Sequence, residues 1–463
     1  MLRAALAPLT LLLLAGCAVQ PDYQRPPVEL PQAWKESAPR YAEDGRWWRI
    51  YGDAGLDSLV EEALAQNADV LVAAARVDEA RALLGVTESA QRPQVELDAR
   101  AGRSLTSSAT GLLPPGTPRE RDNYRAALSV SYEVDVFGRL RAATGAARAD
   151  LAATEAVRDA VRLALTARVA VSYSTLMALD AQVALTRRTL ASREEALALQ
   201  RRRREAGVIS DFDLRQLEAE AASVRAQLPP LERDREVEEA ALAALVGRSP
   251  RAVLEDAVAR TPNPPPELVP AAVIVPAGLP SELLLRRPDL LEAEQRLVAS
   301  NARVAAARAA YFPSITLSGY LGSDSADLGN LFTGPAGIWN FAAALTQPIY
   351  AGGRLDAQRD AALARERAAL AQYQGAIRNA FREVREALVV QARARESFEA
   401  QGARVRALEE TQRLALLRYK NGVANQLDVL DAERGLLSAQ SARIEALRVQ
   451  RAAVADLFRA LGG

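Results

Sequence analysis

Histidine is absent from all 463 residues, and with it the commonest general base and the commonest metal ligand. Cysteine occurs once, so the chain can form neither an internal disulfide nor a cysteine-type zinc site. Lysine occurs only as Lys35 and Lys420, which leaves the basic charge almost wholly to arginine. Aromatic residues make up 5%, and 58 basic residues balance 58 acidic ones for a formal net charge of zero. A neutral chain lacks the net basic face that phosphate backbones demand, which argues against nucleic acid as the main partner. Serines abound, but without histidine or a nearby lysine nothing would activate one as a nucleophile. The glycine pair in Ala351-Gly352-Gly353-Arg354 lacks the spacing and the lysine of a phosphate loop and reads as a strand-to-helix turn. No base, nucleophile and orienting partner come together, so neither an enzyme nor a cofactor or metal site is expected. What remains is long enough for two or three ordinary domains or one large elongated one, 49% hydrophobic and 25% charged.

The single cysteine is well placed. Residues 1–16 carry one arginine, an apolar run too short to span a bilayer, and small residues before Cys17. Leu14-Ala15-Gly16-Cys17 resembles the bacterial lipoprotein box, in which the leader is cut before the cysteine and the sulfur is acylated, for example with palmitate. Residues 1–16 are therefore expected to be a signal peptide. Ala18 stands where an aspartate tends to retain such proteins at the inner membrane, so the outer membrane is the expected address.

The chain also repeats itself. Asn67-Ala68-Asp69 falls on Arg287-Pro288-Asp289, and Arg92-Pro93 on Phe312-Pro313, at one offset. At an offset five residues shorter, Gly138-Arg139-Leu140 falls on Gly353-Arg354-Leu355 and Ala206-Gly207-Val208 on Asn421-Gly422-Val423. Asp213 likewise falls on Asp428, and Gly247 on Gly462. Two structural repeats are expected, 54–260 and 281–463, with a Pro-rich linker at 261–280 and an acylated Pro-rich arm at 17–53.

Each repeat has one grammar. A first helix, about 56–92 or 281–311, is ended by a proline. Alternating segments follow: Ile315, Leu317, Gly319 and Leu321 oppose Ser314, Thr316, Ser318 and Tyr320, while Trp339, Phe341, Ala343 and Leu345 oppose Asn340, Ala342, Ala344 and Thr346. Val95, Leu97 and Ala99, then Tyr124, Leu128, Val130 and Val134, do the same in the first copy. Alternation of this length marks half-buried strands, paired here as hairpins. Proline-free helices at about 140–205 and 355–420 come next, each roughly 100 Å long at 1.5 Å per residue. Ile377, Phe381, Val384 and Leu388 give the second a narrow coiled-coil seam. Both break at a glycine, Gly207 or Gly422, and turn into a shorter return helix.

The strands carry Glu, Asp, Arg and Ser on their alternate face, a cost of several kcal/mol each if buried unpartnered in a soluble sandwich. A membrane barrel resolves this with apolar positions facing lipid and polar ones facing a wet lumen. Four strands are too few to close, and open edges are not tolerated in hydrocarbon, so several chains would have to share one barrel. Two chains would give a solid eight-stranded barrel, and three a twelve-stranded one wide enough for a channel.

At this point the residues carry a family resemblance. The lipoprotein box, PDYQRPPV, LLLRRPDLLEAEQ, ARAAYFPSITLSG, PIYAGGRLDA and RYKNGVANQLDVLDAERGLL resemble the TolC-like outer-membrane efflux family, most closely its OprM/NodT lipoprotein branch, in order over essentially the whole mature chain. The resemblance implies a fold that is mainly α with β. It implies a homotrimer in which four strands per chain make a twelve-stranded outer-membrane barrel, continued by a coiled-coil periplasmic barrel. It further implies a passive exit duct for drugs or other small molecules, working with a periplasmic adaptor (membrane fusion protein) and an inner-membrane RND-type transporter. Asp428 and Asp431 fall on the family's paired aspartates, which would stack as two carboxylate rings at the periplasmic tip, with Leu427 and Leu430 as the apolar part of the constriction. Tyr419 matches a tyrosine that helps lock the closed tip, whereas the arginine of that lock is Ala424 here, leaving Arg418 or another residue to replace it. Gly207, Gly422 and Asp213 mark the hairpin tips where an adaptor would dock; Arg201–Arg204, just before Gly207, reads either as a docking patch for an acidic adaptor tip or as a solvated helix end that favours cations at its C-terminus. The bland alternative for Asp428 and Asp431 is a pair of first-turn acids favouring a helix N-terminus. A type I protein-secretion duct and a pore-less periplasmic coiled-coil scaffold remain the rival functions.

Overall fold

The computed structural model describes residues 23–27, 45–107, 109, 116–255, 257–260 and 283–463. Cys17 and the linker 261–280 lie outside the described residues. In chain order the principal elements are α1 (Ala54–Gln66), α2 (Ala68–Ser89), β1 (Gln94–Leu105), β2 (Glu120–Val134), α3 (Arg139–Glu205) and α4 (Asp211–Leu245). The second copy supplies α5 (Pro288–Ala309), β3 (Ser314–Ser325), β4 (Gly337–Thr346), α6 (Arg354–Lys420) and α7 (Gln426–Leu461). Two compact units form, and each draws on both copies: of the described residues, those within 1–27, 76–155 and 292–374 make one, and those within 28–75, 156–291 and 375–463 the other.

The first unit is built on one antiparallel sheet in the order β1-β2-β3-β4. The two hairpins are thus joined by pairing of β2 with β3, from Tyr124 opposite Ser325 to Val134 opposite Ile315. Register aligns the alternating faces across all four strands. Val95, Val130, Gly319 and Phe341 form one row, and Leu97, Leu128, Leu321 and Trp339 the next. This apolar face is open, with Trp339 77% and Phe341 69% exposed. The other face is polar: Arg125 lies over the Tyr320 ring at 4.6 Å and pairs with Asp324 at 3.9 Å. Beneath the sheet the helical segments are tied by polar contacts, including Asn301 Nδ2 donating to Glu366 at 2.9 Å, Tyr311 OH donating to Asp356 at 2.8 Å, and an Arg303–Asp150 ion pair.

The second unit holds the main apolar core. Trp47, Trp48 and Tyr51 enter it from a short 3₁₀ helix, Trp47–Tyr51. Trp47 stacks on Phe458 at 5.1 Å and donates from Nε1 to Thr166 Oγ1 at 3.2 Å. Tyr51 OH donates to the Arg451 carbonyl at 2.7 Å, and Tyr173 OH donates to Asp53 Oδ1 at 3.0 Å. Asp53 itself caps α1 by accepting from the Gly55 and Leu56 N–H groups.

One expectation is corrected here: the first helix of each copy is two helices. Asn67 interrupts the first, because its side chain accepts from Asp69 N–H at 2.8 Å to cap α2 while its amide donates to the Leu245 carbonyl at 2.8 Å. In the second copy Arg287 stands at the break; it cannot cap, but it likewise donates to a distant carbonyl, that of Ala460 at 2.7 Å, and pairs with Asp289 and Glu383 at 2.7 Å each. Both breaks meet a glycine with positive φ. A Cβ on Gly247 (φ 88) would sit 2.6 Å from the Gln66 carbonyl carbon, and one on Gly462 (φ 96) 3.0 Å from that of Arg286. Gly247→Ala is therefore expected to cost about 1–3 kcal/mol of stability through left-handed strain alone, with more from the backbone clash, as a lowered melting temperature would record. The α4 helix continues through Pro229-Pro230, where two backbone donors are missing.

Candidate channel gate

Both hairpin tips belong to the second unit, and both are built alike. The chain leaves α3 on Gly207 (φ 75) and α6 on Gly422 (φ 72). Gly207 and Val208 donate back to the Arg204 and Arg203 carbonyls at 2.9 Å, and Gly422 and Val423 to those of Tyr419 and Arg418 at 3.0 Å. This is the glycine-terminated helix end expected from the sequence. A capping box then restarts each return helix. Asp213 N–H donates to Ser210 Oγ at 3.1 Å, and Asp428 N–H to Asn425 Oδ1 at 2.9 Å. In return, Asp428 Oδ2 accepts from the Asn425 N–H at 3.2 Å.

Asp428 is thus an exposed carboxylate already engaged at the first turn of α7. Asp431 is also exposed, with Arg434 Nη1 3.4 Å away. Arg434 is the residue that sequence reasoning missed. Its Nε donates to Glu220 Oε1 at 2.8 Å, tying α7 to α4, and that contact raises the guanidinium pKa further. The Glu220 side chain is only 11% exposed. Next to it in sequence, Glu433 pairs with Arg193 of α3 at 2.5 Å. Two consecutive residues of α7 therefore grip both helices of the other hairpin. The spacing Asp431-x-x-Arg434 was a readable signal; the partners Glu220 and Arg193 were not, being more than two hundred residues away.

Leu430, expected beside the acids in the constriction, is instead 1% exposed and packed with Leu197, Leu217 and Ala221. Helical geometry explains this, because the side chain of residue 430 points away from the face that carries 428 and 431. Leu427 stays exposed, and Tyr419 is half-buried. Arg418 reaches the Val423 carbonyl of its own turn, at 3.5 Å. At the first tip, the Arg204 guanidinium holds the Asp211 carboxyl below the usual range, and Arg201 and Arg215 do the same for Glu218. Val208, Phe212 and Val423 are exposed apolar residues at the two turns. Among the described residues no group of three or more acids is poised to hold a metal.

The comparisons fit this architecture. The family model described as outer membrane efflux protein matches residues 59–248 and again 279–463, once per repeat. The chain is 33% identical to the cation efflux system protein CusC of Escherichia coli over 98% of this chain and 96% of CusC. It is 36% identical to the outer membrane protein OprJ of Pseudomonas aeruginosa over 98% and 94% of the two chains. Its fold is similar to the open state of the outer membrane channel MtrE of Neisseria gonorrhoeae, with a TM-score of 0.84 and 33% identity over 96% of this chain and 98% of that one. The chain therefore belongs to the outer membrane efflux protein family and is an efflux channel of the outer membrane, with the β-barrel and helical periplasmic tunnel of TolC-like proteins.

Proposed function

We propose that three copies close a twelve-stranded barrel and serve as the passive exit duct of a tripartite small-molecule pump. An inner-membrane RND-type transporter and a periplasmic adaptor would complete the system, with Cys17 acylated in the outer membrane. The observation that carries this reading is the sheet: four strands with an open apolar face and, among the described residues, an unpaired outer side on both β1 and β4. Such edges need neighbours in a bilayer. Relatives named for cation, antibiotic and toluene efflux favour small cargo over secreted protein. Heat-modifiable trimers in outer-membrane fractions test the assembly, and a monomer soluble without detergent overturns it.

Asp428 and Asp431 would form stacked carboxylate rings at the tip, with Leu427 beside them and Leu430 holding the helix that presents them. Arg434 takes the part that the sequence left open at Ala424. Asp428→Ala with Asp431→Ala is expected to reduce cation preference in planar bilayers, since acidic rings select for cations. Asp428→Ala also removes the N3 half of a capping box and so loosens the first turn of α7. Asp431→Asn, which leaves that box intact, therefore serves as the control. Unaltered selectivity in both variants would remove the ring assignment. Gly207, Gly422 and Asp213 shape the tips on which an adaptor would dock.

A further inference from the structure

A cleft of about 420 Å³ opens in the second unit where α3 meets α6 and α7. Its walls are largely apolar: Met177 and Leu185 come from α3, Phe398 and Val405 from α6, and Ile444 and Leu447 from α7. Such a volume and such a lining are those of small-molecule sites. Along α7 the cleft extends about 16 Å, from Gln440 to Arg451.

Charge in this cleft is one-sided. Arg188, Arg443, Arg448 and Arg451 line it against one acid, the exposed Glu409. Arg448 is already paired with Glu445 at 2.6 Å. Among the described residues, no acid stands within ion-pair distance of Arg188, Arg443 or Arg451. Arg443 lies over the Phe398 ring at 5.7 Å. Arg451 is the deepest of them, 6% exposed, and its Nε finds no hydrogen-bond partner. Burial pulls this guanidinium below its usual range, and Asp53 offsets that only in part. The Asp53 carboxylate is committed elsewhere, to the Gly55 and Leu56 N–H groups and to Tyr173 OH. A charge at that depth is ordinarily paired, so the fork of Arg451 faces the cleft with an acceptor missing.

We propose that the cleft binds a small organic anion, an alkyl or aryl carboxylate, whose head is received by Arg451 and whose apolar body fills the space between α3, α6 and α7. The planar guanidinium fork matches a carboxylate with two parallel hydrogen bonds. Arg443 and Arg188 add positive potential along the cleft, and the bound molecule ties α3 of the first hairpin to both helices of the second. A rival occupant, an acidic side chain of a neighbouring copy, would close the cleft to any solute. Calorimetric titration of the full chain, assembled and held in amphipol, with phenylbutyrate and with the neutral phenylbutanol separates the two. Saturable binding of the acid at one site per chain is expected, with the alcohol at least tenfold weaker. Arg451→Gln should weaken the acid at least tenfold and leave the alcohol unchanged. Arg443→Gln, at a half-buried position, should weaken it to a smaller extent and serves as the test if the first variant does not assemble. Glu409→Gln, which removes the one acid in the lining, should tighten it. No saturable uptake by the assembled protein, equal affinity for acid and alcohol, or unchanged affinity in the arginine variants would overturn the proposal.

Discussion

Arg434→Ala is expected to raise the resting conductance of the channel at least tenfold in planar bilayers. Arg434 holds Glu220 of α4 at 2.8 Å and stands 3.4 Å from Asp431, so one side chain joins the first hairpin to an acid of the proposed gate. Its loss leaves the Glu220 carboxylate largely buried without its cation. A hydrogen bond to a charged group contributes about 1.5–3 kcal/mol, and each 1.4 kcal/mol shifts an equilibrium about tenfold. Glu220→Gln should reproduce much of the effect, and the double variant should add little to either single change, as expected for one shared contact. Conductance unaltered in all three variants would show that the tip is closed by something else.

Gly322→Val is expected to abolish assembly of the barrel. A Cβ at this position would lie 2.2 Å from the Ala126 carbonyl oxygen and 2.4 Å from the Ala127 Cα, and backbone cannot yield as the end of a side chain can. Gly322 stands opposite Ala127 in the β2–β3 ladder that joins the first hairpin to the second, so the clash falls on that link between repeats. Heat-modifiable oligomers should disappear from outer-membrane fractions. Gly319→Ala, where a Cβ would approach the Asn340 carbonyl oxygen at 3.1 Å, should be far milder. Normal assembly of the valine variant would mean that the β2–β3 register differs from the one described.

Strands, long helices and tips were legible because each has a local cause. Period-two alternation placed β3 at Ser314, and glycine placed the turns at Gly207 and Gly422. What the sequence hid depends on contacts between distant segments. The helix break at Asn67 follows from its bond to the Leu245 carbonyl, and that at Arg287 from its bond to Ala460. Proline after Arg287 was a visible cue in the second copy, but the first copy offered only an asparagine. The two roles of the acids also divide by range. Asp428 as a cap is local and was foreseen as the plain alternative, whereas the pairing of Arg434 with Glu220 required knowing which hairpin lies beside which. Repeats along the chain likewise did not announce that each compact unit would take segments from both.

The outer sides of β1 and β4 make a lone subunit unfit for lipid. Each would carry a row of bare amides and carbonyls into hydrocarbon, where nothing could solvate them. With three copies sharing the barrel as proposed, insertion and subunit recruitment would be a single event, with no stable half-built pore to leak. A cell making one copy too few or too many would be left with surplus protein in the periplasm, where proteases can reach it, and not with a hole in its outer membrane.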